Sequence, residues 1–489
     1  MGLAARKMEA LYIMLSGRYA FFGLGVHAFN RLGPEAFIPN YHIICFNDSI
    51  DNDLIRKRIP LYSLEEATGK RSFKKNATSL LRCGEVCDYI KTNAKGKIPV
   101  IIVYKSSLAM ERICKKEGFL LAANPYRYTK PWLEDKLRFR TILKSLKLPY
   151  PPYEPISHEK DVDEQFQKTK NTLGLPFLLQ LVFGGGGRGN SLISSAHEFA
   201  KCLEIIKKTY PRGRIENALF ASKLIQGWSP SLTAAVTKFG TIHTPLQMQI
   251  IDARETLREA LLRFGIFCGH DFGISFSPAV KRQADAYIKK LGAYMHSQGY
   301  RGIFGLDFLW EKETDILYFI EANPRFLGTF PTLFYEEIRQ GMPPFILFHI
   351  LEFLSLRKEE SVLAKEAINA WEKESSLPSN YEKSAHIFLQ NRLKAEVSVT
   401  KTLRPGIYQL GEKGLTFKKP SYNPLHIVSK KEFLICDGVP RRGALIKKDQ
   451  RLLRIIFAKG ILEEDKKTLT RETKRVIQAV YQSLVLESV

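Results

Sequence analysis

The sequence predicts a multidomain protein of mixed α/β and α+β class. Three observations predict it: the chain's length, a strand-and-helix alternation over its first quarter, and a change to short strands and turns over its last hundred residues. At 489 residues the chain exceeds what one hydrophobic core usually spans. Three or four structural units are expected: residues 1–125, 126–350, a helical linker at 351–384, and a small β-rich domain at 385–489.

In the first unit EALYIML, YHIICFN and KIPVIIVY read as strands with helical stretches between them, and ERICKKEGFLLA follows, the rhythm of a parallel sheet. The opening apolar stretches LYIML and AFFGLGVHAF, split by Ser16, Gly17 and Arg18, read as a first strand and then a glycine turn into a helix. Gly17, Gly23 and Gly25 lack the spacing of a dinucleotide fingerprint, so no NAD site is assigned there.

Two segments of the second unit carry chemistry. Residues 175–193, LPFLLQLVFGGGGRGNSLI, read as two strands joined by four glycines and an Arg, a loop whose backbone N–H groups can close on phosphates. The alternative, a flexible linker, fits poorly because both flanks are buried-strand patterns and no Ser-rich tract surrounds them. Residues 302–329, GIFGLDFLWEKETDILYFIEANPRFLGT, read as a hairpin with Asp307 on one strand and Glu321, Asn323 and Arg325 on the next. Period-two alternation puts those last three on one face. Two carboxylates and an amide oxygen suit Mg²⁺, with Arg325 beside them as a phosphate or carboxylate fork. A hairpin with merely solvated acids is the bland alternative, and the glycine loop upstream weighs against it.

Together these segments resemble the ATP-grasp superfamily, in the carboligase branch related to biotin carboxylase and carbamoyl phosphate synthetase. Asp135-Lys136 and RFRTILKSLKLPYPP, with Pro149 at its exit, resemble the family's entry helix. SKLIQGWSPSLTAAV, residues 222–236, resembles the hinge strand, and ISFSPAVKRQADAYIKKLGAYMHSQGYRGIFGLDFL the helix before the metal hairpin. Five landmarks fall in order over about residues 120–350. The chain departs from the pattern twice: Gln180 stands where the family has a strand Lys, and Ser222 where it has an acidic residue. CDGVPRRGALIKKDQRLLRIIFAKG resembles the C-terminal strands of uncharacterised carboligases, and no M-K-M segment for biotin attachment is present.

The resemblance implies a Rossmann-like N-terminal lobe (1–125), a two-lobed ATP-grasp core (126–350; small lobe about 150–225, hinge 222–228) and the β-rich C-terminal domain. It implies Mg²⁺, or Mn²⁺ in its place, held by Asp307, Glu321 and Asn323. ATP would lie with its adenine at Lys223, Leu224 and Ile225, and its phosphates under Gly184, Gly185, Gly186, Gly187 and Gly189 near Lys136 and Gln180. Gln brings no positive charge, so Arg188 is expected to compensate, with Arg325 as the second catalytic cation. Trp228, Tyr300, His270 and Asp271 are candidates for the acceptor pocket or for plain packing.

The formal net charge of +24 divides as surpluses of +8, +7 and +9 over residues 1–135, 136–350 and 351–489. A spread this even is not a nucleic-acid footprint, so no nucleic acid is expected; small anionic substrates and an acidic carrier protein are favoured. Seven cysteines without a C-x-x-C pair read as reduced thiols in a cytoplasmic compartment. No apolar run has transmembrane length, and Arg6 stands where a myristoylation motif wants Ser or Thr.

The expected reaction is ATP-dependent joining of a carboxylate to an amine or other nucleophile through an acylphosphate, releasing ADP and phosphate. A non-catalytic ATP-binding sensor and a bicarbonate-dependent carboxylase are the alternatives.

Overall fold

Tyr19–Gly25 (β1) is buried along almost its whole length, the pattern of a central parallel strand covered on both faces. It joins His42–Cys45 (β2), Leu61–Ser63 (β3), Ile98–Val103 (β4) and Leu120–Ala122 (β5) in a parallel sheet of order β3-β2-β1-β4-β5. We describe a computed structural model over residues 1–70, 75–157, 160–185, 187, 189–209, 219–262, 265–377 and 383–489, and numbers of elements refer to these.

One sequence expectation is corrected at the start of this lobe. LYIML is not a strand: Leu3–Leu15 is a helix whose Ala4, Met8, Leu11 and Leu15 are buried at helical spacing. AFFGLG, expected to turn into a helix, is β1 itself. The N-terminal helix packs on the helix Lys358–Ser375, which buries Ala364, Ala367 and Trp371. Leu3 N donates to Glu374 Oε1 at 2.6 Å across that contact.

The second sheet is antiparallel: Tyr153–Ile156 (β6), Phe177–Leu181 (β7), Asn190–Ile193 (β8) and Leu219–Lys223 (β9), in the order β6-β9-β7-β8. One face is sealed by the helices Val162–Leu173 and Ala196–Thr209 over Phe177, Leu179, Leu219 and Ala221. The residues alternating with these, Gln180 and Phe220 among them, occupy the opposite face.

The third sheet begins with Gly227–Trp228 (β10), Pro230–Thr237 (β11), Gly240–His243 (β12), Gln247–Ile251 (β13), Phe267–Asp271 (β14), Gly302–Glu311 (β15) and Leu317–Asn323 (β16). It continues through Ala385–Gln390 (β17), which pairs with β14. Val397–Lys401 (β18) leaves it; Gly406–Gly411 (β19), Gly414–Pro420 (β20) and Glu432–Cys436 (β21) return. Leu445–Ile446 (β22) pairs with β18, Arg451–Phe457 (β23) sits between β17 and β21, and Val485–Ser488 (β24) closes the small sheet on β18. The C-terminal strands thus extend the hairpin's sheet, of order β10-β15-β11-β13-β14-β17-β23-β21-β19-β20, with β12 on β11 and β16 on β15. They are also tied to the parallel-sheet lobe. Asp51, which is fully buried, accepts the backbone N–H groups of Asp437, Gly438 and Val439 at 2.9, 3.0 and 2.7 Å, fixing the D-G-V-P turn.

All seven cysteines are free thiols. Among the described residues no helix is long and apolar enough to cross a membrane.

Candidate functional site

The hairpin β15–β16 sets Asp307 directly opposite Glu321, and Gly305 opposite Asn323. A bulge after Asp307 shifts the register, so the two carboxylates face each other where the strand twist is strongest. Asn323 Nδ2 donates to Asp307 Oδ2 at 2.8 Å and lies 3.4 Å from Glu321 Oε1. Gln249, on β13, donates to the other Asp307 oxygen at 2.9 Å. Strand alternation ends at Asn323, so Arg325 sits in the turn beyond the strand rather than on it. Its guanidinium still folds back: Nη2 donates to Asn323 Oδ1 at 2.7 Å, and Nη1 donates to the Tyr104 hydroxyl.

Burial, and next the negative charge of Glu321, hold the Asp307 carboxyl well above the usual carboxylate range. Burial works to raise Glu321 as well, but Lys136 and Arg325 outweigh it and bring that carboxyl below its ordinary value. Two half-buried carboxyl groups at one point form a donor set that a divalent cation fits, since it supplies the missing charge. Asn323 completes the set if its amide is turned to present Oδ1, an orientation that the neighbouring hydrogen bonds decide. Among the described residues no group of three or more His, Cys, Asp and Glu side chains converges as a further metal cluster.

Lys136 reaches this site from a helix packed on the hairpin, where Phe139 lies 6.1 Å from Phe319 of β16. Asp135 caps the helix Lys136–Ser145, accepting from Leu137 N and Arg138 N at 3.0 and 2.9 Å, so the Lys136 side chain leaves from a fixed first turn. Its Nζ lies 3.5 Å from Glu321 Oε2 and donates to the Gly184 carbonyl at 3.0 Å. One ammonium therefore joins the glycine loop to the hairpin.

The loop itself lies close to the large lobe. A Cβ on Gly187, which has φ +78°, would stand 2.1 Å from the Gly265 carbonyl oxygen, so glycine is required at that approach. Gly189 has φ +97° and would press on Leu181. Gly186 and Arg188 lie outside the described residues. Nearby, Asp252, Arg254, Glu259 and Leu262 line a cavity of about 560 Å³.

Gln180 is buried and donates to Asn190 Oδ1 at 3.1 Å, its direct neighbour on β8. The cation on that face is one the sequence did not reveal. Arg140, one helical turn after Lys136, is buried with its guanidinium 4.3 Å from the Phe220 ring centroid and 5.4 Å from that of Tyr153. Phe220 is in register with Gln180 on the adjacent strand. Burial pulls Arg140 down to about 10, against the opposing pull of Tyr153, Tyr150 and Glu321.

At the expected hinge, Ser222 is buried on the cleft face while Lys223 is exposed, and its backbone N–H donates to Pro152 O at 2.9 Å. Leu224 and Ile225 follow outside any strand, Ile225 buried. Of the acceptor-pocket candidates, Trp228 packs 4.7 Å from Trp310 and donates to Asp465 O. Tyr300 donates to Ile303 O, His270 pairs with Ser231, and Asp271 accepts from Ile461, Leu462 and Gly273 backbone. All four are engaged in packing. The sequence does not reveal Gln249, Arg140 and Tyr104 because tertiary packing brings them to the site: Gln249 from β13, Arg140 from the helix of Lys136, and Tyr104 from the end of β4.

Residues 133–329 match the model of the ATP-grasp domain. The chain carries an ATP-grasp domain. Over 207 residues it is 25% identical to the arginine-specific carbamoyl phosphate synthase large chain of Halalkalibacterium halodurans, covering 41% of this chain and 17% of that one. Over 153 residues it is 25% identical to the [butirosin acyl-carrier protein]–L-glutamate ligase of Niallia circulans, covering 30% of this chain and 32% of that one. The chain thus spans about a third or less of the length of these relatives. The ATP-grasp fold extends further: biotin carboxylase from Campylobacter jejuni superposes with a TM-score of 0.58 at 14% identity, over 96% of this chain and 92% of that structure.

Proposed function

We propose that the protein is an ATP-dependent carboxylate–amine ligase that works through an acylphosphate. One observation carries the reading: Lys136, the glycine loop and the Asp307–Glu321–Asn323–Arg325 cluster converge within hydrogen-bonding reach of one another. The ATP-grasp match over the same residues supports it.

Asp307, Glu321 and Asn323 would hold Mg²⁺, which when bound offsets negative charge on the reacting phosphates. Lys136 and the loop Gly184–Gly189 would orient the phosphates of ATP, and Ser222 to Ile225 would border the base. A substrate carboxylate oxygen attacks the γ-phosphorus, the bond to the β-phosphate oxygen breaks, and ADP leaves. The amine nitrogen then attacks the acyl carbon, the carbon–oxygen bond breaks, and phosphate leaves as the nitrogen gives up its proton. Arg325 stands where charge develops in both steps, and burial strengthens its effect. The chain's positive charge and the carrier-protein ligase among its relatives support a small carboxylate as the activated partner and an acidic carrier protein as a candidate acceptor.

The test is ADP release from Mg·ATP against pooled carboxylates and amines, with bicarbonate as a separate arm and mass spectrometry of every active pool. A product heavier by one condensed amine, lost in Glu321→Ala, supports the ligase. Bicarbonate-dependent release alone points to a carboxylase. The Gln180–Asn190 pairing favours one second reading, a nucleotide sensor, for which ATP binds and no pool turns over.

A further inference from the structure

Gly23 and Gly25 on β1 gain a purpose from what lies against them. A Cβ on Gly25 would stand 2.9 Å from Arg31 Nε, and one on Gly23 would stand 1.9 Å from the Tyr41 hydroxyl and 3.1 Å from Arg31 Cβ. The strand thus clears a bed for the Arg31 side chain, and the Tyr41 hydroxyl donates to the Arg31 carbonyl at 2.9 Å. The side chain in that bed has no matching acceptor. Arg31 is 5% exposed, and its Nε and Nη1 have no hydrogen-bond partner. Among the described residues no carboxylate forms an ion pair with it. Asp437, the carboxylate whose charge acts on it, is already engaged by Arg451 at 2.5 Å and Arg454 at 2.8 Å. Buried guanidinium donors left unpaired are costly, and an oxygen-rich ligand removes the cost.

The position is that of a ligand site in an open parallel sheet. With the order β3-β2-β1-β4-β5, the chain reverses direction of travel between β1 and β4, and the crevice beyond the carboxyl ends of those strands is where such sheets bind small molecules. Arg31 follows β1, and Tyr104 and Lys105 follow β4. Tyr104 is also the bridge to the ATP-grasp domain: its carbonyl accepts from Phe326 N at 3.1 Å and its hydroxyl accepts from Arg325. The two guanidinium groups flank this bridge, Arg31 lying 5.7 Å from the Phe326 ring centroid and Arg325 5.1 Å from that of Tyr104. Arg325 has Asp307, Glu321 and Glu134 to balance its charge; Arg31 has no such set.

We propose that Arg31 and Tyr104 form an anion subsite that takes the second carboxylate of a dicarboxylic substrate while Arg325 faces the carboxylate to be activated. The inference rests on the ligase reading for the role of Arg325; the anion subsite itself is testable without it.

The experiment is calorimetric binding of succinate and of its monomethyl ester to the full chain at low salt, on wild type, Arg31→Met and Arg31→Lys. The ester removes one charge at the addition of one methyl group, and the comparison on wild type stands even if a variant misfolds, which circular dichroism reports. Expected is succinate binding on the order of tenfold or more tighter than the ester. That preference should be lost in Arg31→Met and partly kept in Arg31→Lys. Equal binding of acid and ester, or a preference untouched in folded Arg31→Met, overturns the subsite. An Arg31-dependent preference without ATP turnover in any pool leaves the subsite standing and removes the ligase. Glu321-dependent turnover with no such preference does the reverse.

Discussion

Lys136 Nζ lies 3.5 Å from Glu321 Oε2 and 3.0 Å from the Gly184 carbonyl oxygen, so a single buried cation spans the metal hairpin and the glycine loop. The contact joins elements about 180 residues apart, and it accounts for the direction in which Glu321 is shifted.

Under the proposed function, removing that cation would leave Glu321 and the phosphates of ATP short of positive charge. Lys136→Met is expected to lower kcat/KM for ATP by on the order of tenfold to a hundredfold, with Lys136→Arg recovering part of it. Steady-state ADP release checks both, and activity unchanged in the Met variant would remove Lys136 from the site.

Burial and the charge of Glu321 oppose ionisation of Asp307, which biases its carboxyl toward holding a proton. A divalent cation entering between the two carboxylates must displace that proton. Mg²⁺ titrations near neutral pH, run in buffers of different ionisation enthalpy, should therefore show release approaching one proton per site. Asp307→Asn should abolish the release.

Gln180 is committed to Asn190, so the positive charge on the cleft face of the small sheet falls to Arg140. Arg140→Leu is expected to weaken ATP binding by roughly tenfold, the order of one charge-assisted contact. Gln180→Lys added to it should restore part of the affinity, as read by equilibrium binding of ATP.

His349 is held neutral by geometry: Nδ1 accepts from Ile303 N and Nε2 donates to Ala122 O, both at 2.9 Å. Burial lowers it to about 4 from an ordinary 6.5. A base with a depressed folded value contributes stability that is fully present above about 6.5 and lost as pH falls toward 4. The lost contribution is on the order of 3 kcal/mol. Glu35 and Asp51, both raised to about 7, act in the opposite direction, being most favourable at low pH. Comparing wild type with His349→Gln isolates the histidine: the acid-side loss between pH 6.5 and 4 should shrink in the variant, by denaturant unfolding.

The hairpin was legible in the sequence because its geometry is local. Asp307, Glu321 and Asn323 lie on strands joined by a short turn; alternation puts Glu321 and Asn323 on one face, and a bulge after Asp307 sets the register that brings Asp307 opposite Glu321. The glycine loop is legible from its flanking strands, of which Phe177–Leu181 is buried as expected, while Asn190–Ile193 is an edge strand with only Ile193 buried. Arg325 was placed on the right side for a partly wrong reason, since the strand ends before it. Gln249, Tyr104 and Arg140 were not legible: each arrives from a different element, and the pairing of β11 with β13 and β15 leaves no local mark in the sequence. In LYIML alone, a uniformly apolar stretch, periods of two and of 3.6 look alike; the helical period shows only over all of Leu3–Leu15, where Ala4, Met8, Leu11 and Leu15 are buried around Arg6, Lys7 and Glu9.

The central claim is that a carboxylate is activated by phosphoryl transfer at the Asp307–Glu321–Asn323 site. The direct measurement is the fate of oxygen from an ¹⁸O-labelled carboxylate substrate, followed by mass spectrometry of the released phosphate. One labelled oxygen per phosphate, with ADP as the other product and neither formed by Glu321→Ala, is the predicted result. Unlabelled phosphate, or label appearing in AMP, would contradict the account.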